Sequence, residues 1–264
     1  MIKTWSMPKD KLDEFLASID NILTGEELTN YTLLREYDDD EDGDDDDVIK
    51  YGNTAIVRLS GVLMCSPNII ESLAGAVDVS NLRQVVKDLK EDSNIENVIF
   101  HVNSYGGEVT GIPELAKLIR DISNTKNVIG YTDRAATSAA YWLLSQMPAV
   151  YASETATVGG VGVYTLIQDL TQHFAKEGIK IIPFYRGKYK LMGAPFKELS
   201  DEEKQMIQKL VDSDYEAFKT AVKDIRDIKD EDLEGQVYRG QEALGKGFID
   251  GFMDDIREVI DKVI

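Results

Sequence analysis

The chain has 264 residues, and 29 Lys and Arg set against 48 Asp and Glu leave a formal charge of −19. Phosphate binding rests on grouped Lys and Arg, and with no such group in so acidic a chain, nucleic acid is not expected as a partner. At this length the 43% of hydrophobic residues can fill a core without disulfide or metal staples. Cys65, His101 and His173 are the only Cys and His, so no zinc motif can be composed, and neither metal nor cofactor is expected. No apolar stretch approaches the ~18 residues of a membrane span, and the N-terminus lacks a leader-like apolar run. A cytoplasmic chain without a membrane span is therefore expected.

The first element in chain order is a short amphipathic helix through Leu12, Phe15, Leu16, Ile19 and Leu23, within an N-terminal segment of residues 1–36. Nine carboxylates crowd the ten positions 38–47. Their mutual repulsion marks residues 37–50 as a linker ahead of a main domain at 51–264. From there short β-rich runs alternate with helical periods: strands at 55–59, 98–102, 128–131, 150–152 and 179–185, with helices at 81–90, 109–122, from 138, and 166–176. Ser200 followed three residues later by Glu203 forms a capping box, heading a long helix whose apolar positions include Ile207, Leu210, Phe218 and Val222. A short strand or turn near Tyr238, a short helix and a final turn follow. Helix and strand taking turns define an α/β fold with a largely parallel sheet.

Three loops at strand ends carry candidate chemistry. Asn103-Ser104-Tyr105-Gly106-Gly107 follows an apolar strand and is expected to open a helix, where adjacent glycines can point backbone N–H groups at an anion, a phosphate or an oxyanion. Ser138 lies among small residues at the start of a helix, where a hydroxyl can meet a substrate carbonyl or simply cap the helix. The stretch from Tyr185 to Pro195 is basic; Lys188 and Lys190 are candidate bases, provided that burial takes one several units below the ~10.4 of an ordinary lysine. His101, inside a strand, and His173, inside a helix, read as structural, so a Ser-Lys pair is favoured over a histidine triad.

Taken in order, Gly61-Val-Leu, Asn103-Ser-Tyr-Gly-Gly-Glu-Val, Ser138-Ala-Ala-Tyr-Trp, Val158-Gly-Gly-Val-Gly-Val, Gly187-Lys-Tyr-Lys with Ala194-Pro195, and the blocks after Ser200 and Tyr238 resemble the signal peptide peptidase A family of Ser-Lys peptidases over about residues 55–250. The resemblance implies a ClpP/crotonase-like fold of repeated ββα units. It implies Ser138 as nucleophile, Lys190 rather than Lys188 as base, and Gly106 and Gly107 as oxyanion-hole donors, acting through an acyl-enzyme. It further implies a homo-oligomer and a polypeptide substrate. The Ser-Ala-Ala-Tyr-Trp form is similar to the branch encoded by tailed phages, whose members act in capsid assembly; this implies a capsid scaffold substrate and a place in the host cytoplasm or prohead. The alternatives are degradation of signal peptides or general cytosolic peptides, a non-catalytic assembly module that keeps the fold, and a crotonase-like acyl-CoA enzyme. Two positions depart from the family pattern. Gly160 stands where the family usually has a lysine-orienting serine, for which Ser153, Thr155 or Thr157 are the available substitutes, and Tyr105 stands where proline is favoured.

Overall fold

The computed structural model describes residues 3–24 and 48–263, so the acidic run at 38–47 lies outside the described residues. In chain order the strands are β1 (Trp5–Ser6), β2 (Val48–Tyr51), β3 (Thr54–Ser60), β4 (Val62–Met64), β5 (Ala76–Asp78), β6 (Asn97–Asn103), β7 (Gly107–Glu108), β8 (Asn127–Thr132), β9 (Ala135–Thr137), β10 (Ala149–Ala152), β11 (Thr157–Gly159), β12 (Val237–Arg239) and β13 (Gly251–Phe252). The helices are α1 (Lys9–Thr24), α2 (Ile69–Leu73), α3 (Val79–Glu91), α4 (Ile112–Ile122), α5 (Ala139–Leu144), α6 (Thr171–Lys176), α7 (Asp201–Lys223), α8 (Gly240–Gly245) and α9 (Ile256–Asp261).

The main sheet has the order β13-β10-β8-β6-β3-β2, parallel throughout except for β2. Both of its faces are covered, which is why β3 and β6 are near-continuous apolar runs rather than alternating ones. One face packs Leu82, Val86 and Leu89 of α3 and Leu115, Ile119 and Ile122 of α4 into the large core. The other gathers Ile56, Ile99, Ile129 and Tyr131 against Val259 of α9. Fully burying each such side chain contributes about 1.5–3 kcal/mol.

The same unit recurs along the chain. A long strand of the main sheet is followed by a short strand that leaves it and then by a helix: β3-β4 ahead of α3, β6-β7-α4, and β8-β9-α5. The short strands form two small sheets, β1-β7-β4-β5 and β12-β11-β9. These repeated ββα units are the ClpP/crotonase-like fold, and they bring the turn between β6 and β7 against the residue that follows β9.

Several expected boundaries move. The helix expected over 109–122 begins at Ile112, because Gly111 is left-handed at φ 85° and Pro113 suits the first turn. The helix expected over 166–176 is confined to Thr171–Lys176. Residues 179–185 form no strand; Ile179, Ile182, Phe184 and Tyr185 face solvent, with Phe184 94% exposed. Ser200 caps α7 as expected: its Oγ accepts from Glu203 N–H at 3.3 Å while the Glu203 carboxylate accepts from Ser200 N–H at 2.9 Å. The N-terminal helix packs against the main body, with Met7, Leu12 and Phe15 joining Val62, Met64, Ala74 and Ala76 in a second apolar cluster.

Candidate active site

Ser138 occupies the single residue between β9 and α5, at φ 55° and ψ −125°. A non-glycine residue in this region carries strain on the order of 1–3 kcal/mol and persists only where packing over-determines it. Ala135, Ala136, Ala139 and Ala140 around it are all buried, and their small side chains let the sharp strand-to-helix turn close. The hydroxyl makes no capping bond to the helix; it donates instead to Gly160 O at 2.9 Å. Ser138 is thus a raised, uncapped hydroxyl on a strained elbow, the arrangement that presents a nucleophile.

The glycine turn comes against this elbow from β7. A Cβ on Gly106 would stand 2.1 Å from the Ser6 carbonyl oxygen, 2.9 Å from Ser138 Cβ and 3.0 Å from Ala139 N. Only glycine permits that approach, and its φ of 109° requires glycine independently. The turn does not open a helix: Gly107 and Glu108 are strand residues and α4 starts four residues later. The Gly106 N–H is committed inward to Ser104 Oγ at 3.1 Å, and Ser104 Oγ in turn donates to Gly61 O at 2.6 Å. Gly107 lies in strand register with Leu63 on one side and Ser6 on the other. The second donor near the elbow is one that no side chain announces. Ala139 is the first residue of α5, so its N–H has no carbonyl four residues back to receive it.

Lys190 follows a turn in which its own N–H donates to Gly187 O at 3.1 Å, and it is exposed, whereas Ser138 is buried. Within the single chain no hydrogen bond joins the Lys190 amine to the Ser138 hydroxyl. Lys188 is paired with Glu202 at 2.5 Å, and this contact holds its ammonium above the usual lysine range. Tyr189 donates to the same carboxylate. Gly160, at φ 70°, has its own N–H on Gln236 O at 2.7 Å; a Cβ there would meet Ser138 N and Oγ at 3.2 Å each. A serine at this position would reach the elbow. Two of the expected substitutes are turned elsewhere: Ser153 Oγ donates to Asp133 O at 2.8 Å, and Thr157 Oγ1 accepts from Arg239 at 2.6 Å.

His101 takes no part in the elbow. Its Nε2 lies 3.1 Å from both Asp133 Oδ1 and Asn103 Nδ2, and Asn103 donates to Asp133 at 2.6 Å. Burial pushes the Asp133 carboxyl upward, but hydrogen bonds with His101 and Asn103 and the nearby Arg134 outweigh it and bring the carboxyl down to about 2. His173 is exposed on α6. Among the described residues no cluster of metal-ligating side chains occurs and no helix is long and apolar enough to cross a membrane.

A parallel α/β core, short strands folded away from it and a serine on a strained strand-to-helix elbow beside backbone donors together define a protein of the serine-hydrolase class. Residues 120–263, more than half of the chain and inclusive of Ser138 and Lys190, match peptidase family S49. The chain belongs to that family. It is 23% identical over 242 residues to Capsid assembly protease C of Escherichia phage lambda, covering 89% of this chain and 55% of that protein. It is 25% identical over 201 residues to the chloroplastic serine protease SPPA of Arabidopsis thaliana, covering 74% and 30% respectively. A protein of Methanocaldococcus jannaschii, provisionally named a protease, is 29% identical over 170 residues, covering 63% and 55%. The chain thus spans about half the length, or less, of these relatives. Among solved structures it is similar to an enoyl-CoA hydratase of Shewanella pealeana, with 14% identity, a TM-score of 0.45 and coverage of 82% of this chain and 71% of that one.

Proposed function

We propose that the chain is a serine endopeptidase working through an acyl-enzyme on Ser138, with unfolded polypeptide, a capsid scaffold protein in particular, as substrate. The observation that carries the proposal is the uncapped, strained Ser138 hydroxyl, with the Gly106-Gly107 turn and the first N–H of α5, that of Ala139, beside its elbow. The hydroxyl oxygen adds to a peptide carbonyl carbon while its proton passes to a neutral amine, that of Lys190. The carbonyl oxygen becomes an oxyanion held by the Gly107 and Ala139 N–H groups, and the leaving amine takes the proton. Water then hydrolyses the serine ester by the reverse sequence. Of the two glycines expected as donors, Gly106 is replaced in this scheme by Ala139, because its N–H is already spent on Ser104.

An amine acts as a base only when neutral, which requires removal from water. In one copy Lys190 is exposed and the arm bearing it displays Ile179, Ile182, Phe184 and Tyr185 to solvent. A homo-oligomer in which a second copy covers this arm and carries the amine to a neighbouring Ser138 satisfies both features. The scaffold substrate is supported by two relatives named Capsid assembly protease C and Head-tail preconnector protein GP5, both from phages. Gly160 supports a second reading, an assembly module that keeps the fold without cutting.

A serine-reactive phosphonate separates the two. Intact-mass measurement should show one adduct on the wild-type oligomer and none on Ser138→Ala, with hydrolysis of unstructured peptides lost in the same variant. An oligomer that takes no adduct even when residues 1–8, whose strand β1 lies beside the Ser138 elbow, are removed would leave the assembly module.

A further inference from the structure

Residues 3–6 run as a middle strand between two neighbours. On one side β1 is antiparallel to β7, with Trp5 opposite Glu108 and Ser6 opposite Gly107, and Val109 N–H donates to Thr4 O at 3.0 Å. Hydrogen-bonded pairs alternate along an antiparallel ladder, so Ser6 and Gly107 form the next such pair and the Gly107 N–H faces the Ser6 carbonyl. On the other side Trp5 exchanges both backbone bonds with Tyr164, at 2.8 and 2.9 Å. Ser6 Oγ donates to Gly162 O at 2.8 Å, and Thr165 Oγ1 donates to Lys3 O at 2.6 Å. An extended polypeptide captured by strand addition makes this set of bonds.

The placement relative to the elbow is equally specific. The Ser6 carbonyl oxygen, Ser138 Cβ and Ala139 N all surround the point where a Gly106 Cβ would stand. The Ser6 carbonyl oxygen therefore lies within about 5 Å of both Ser138 Cβ and Ala139 N, in the neighbourhood where a peptide carbonyl under attack is held. Ser6 is wholly buried and Met7, on the far side of the same peptide bond, is 3% exposed. The strand is fastened at both ends: Lys3 pairs with Glu108 at 3.2 Å, and Met7 and α1 pack into the second apolar cluster.

The geometry points to an internal pseudosubstrate: Lys3–Ser6 fills the polypeptide cleft and presents the Ser6–Met7 bond to Ser138, closing the cleft to other chains until the strand leaves. The occupancy stands on the backbone bonds, whereas its consequence for activity rests on the peptidase reading above. A tethered strand competes at an effective concentration of about millimolar. An external peptide therefore binds with an affinity reduced by the fraction of molecules whose cleft is open.

The test uses the Ser138→Ala chain, which cannot cut itself, and a fluorescent peptide carrying residues 1–8. Its dissociation constant is measured by anisotropy on Ser138→Ala and on the same chain with either Trp5→Pro or Ser6→Glu. The proline removes the N–H given to Tyr164, and a glutamate has no room where Ser6 is fully enclosed. Both should bind the peptide at least tenfold more tightly than the parent, with far-UV circular dichroism unchanged; equal affinity overturns the proposal. If a substitution disturbs the fold, deuterium uptake decides: excess unlabelled peptide should accelerate exchange over residues 3–7 of Ser138→Ala, and unaltered uptake counts against the pseudosubstrate. A chain lacking residues 1–8 whose Ser138 never reacts would end the peptidase reading while leaving these comparisons intact, because none of them needs a nucleophile.

Discussion

At the scale of single residues, two lysines two positions apart are sorted by their partners. Lys188 is pinned as a cation by Glu202, a contact that raises its affinity for the proton and disqualifies it as a base. Among the described residues Lys190 is paired with no such carboxylate, and in the proposed oligomer a neighbouring copy buries it. Lys190→Ala should therefore lower kcat/KM on an unstructured peptide by at least a hundredfold, the usual weight of a positioned base, whereas Lys188→Ala should stay within a few-fold of wild type. The reverse ranking, measured side by side, would move the base to Lys188. Ser138 stood out beforehand as a serine among alanines after a strand, open to a nucleophile or a helix cap, and the structure shows no capping bond. The proposed Ala139 donor had no such signal, since a backbone donor has no residue signature. The Gly106 N–H, expected to point outward, is bonded to the Ser104 hydroxyl, a partner that only folding places there.

At the scale of elements, the capping box that starts α7 also sets an acid limit. The Glu203 carboxylate is held down to about 2 by its hydrogen bond to Lys197, then by the Ser200 N–H and hydroxyl. An unfolded glutamate titrates near 4.3. The folded state thus binds the proton less readily, so the stability Glu203 contributes is complete above about pH 4.5 and drains away as the pH falls toward 2. Glu203→Gln should flatten the dependence of Tm on pH within that window and leave the slope above pH 5 unchanged. Further along, α7 is locked to α5 by Trp142 stacked on Phe218, with ring centroids 4.5 Å apart and planes 2° from parallel. Trp142→Ala removes the largest fully buried side chain and should cost about 3–5 kcal/mol, read from the urea midpoint. Periodicity found α7 because Ile207, Phe218 and Val222 are buried along one face, although Leu210 is half exposed. The same reasoning failed at 179–185, where an apolar run that resembles a strand joins no sheet among the described residues.

At the scale of the whole molecule, the unjoined arm and the exposed Lys190 support one proposal: the apolar side chains of the arm are buried against a second copy in a head-to-tail contact that closes into a ring. In such a ring the serine and the amine of each proposed site would come from different copies. Alternation of strands and helices revealed an α/β body with a parallel sheet, and the resemblance of the loop motifs implied its ββα units, but nothing in one chain's pattern says which parts of a site are supplied by a neighbour. The consequence is testable with two inactive variants. Ser138→Ala keeps the amine and loses the hydroxyl, and Lys190→Ala does the opposite. When equal amounts are dissociated, mixed and reassembled, about a quarter of the interfaces should join an intact serine to an intact lysine. Peptide hydrolysis should return to roughly that fraction of wild type while each variant alone stays silent. Phe184→Glu in both partners, which sets a charge in the contact, should abolish the recovery and the oligomer together, as seen by light scattering. If the mixture stays inactive although the oligomer re-forms, the dyad is not shared between copies, and the arm must fold back to deliver Lys190 to its own serine.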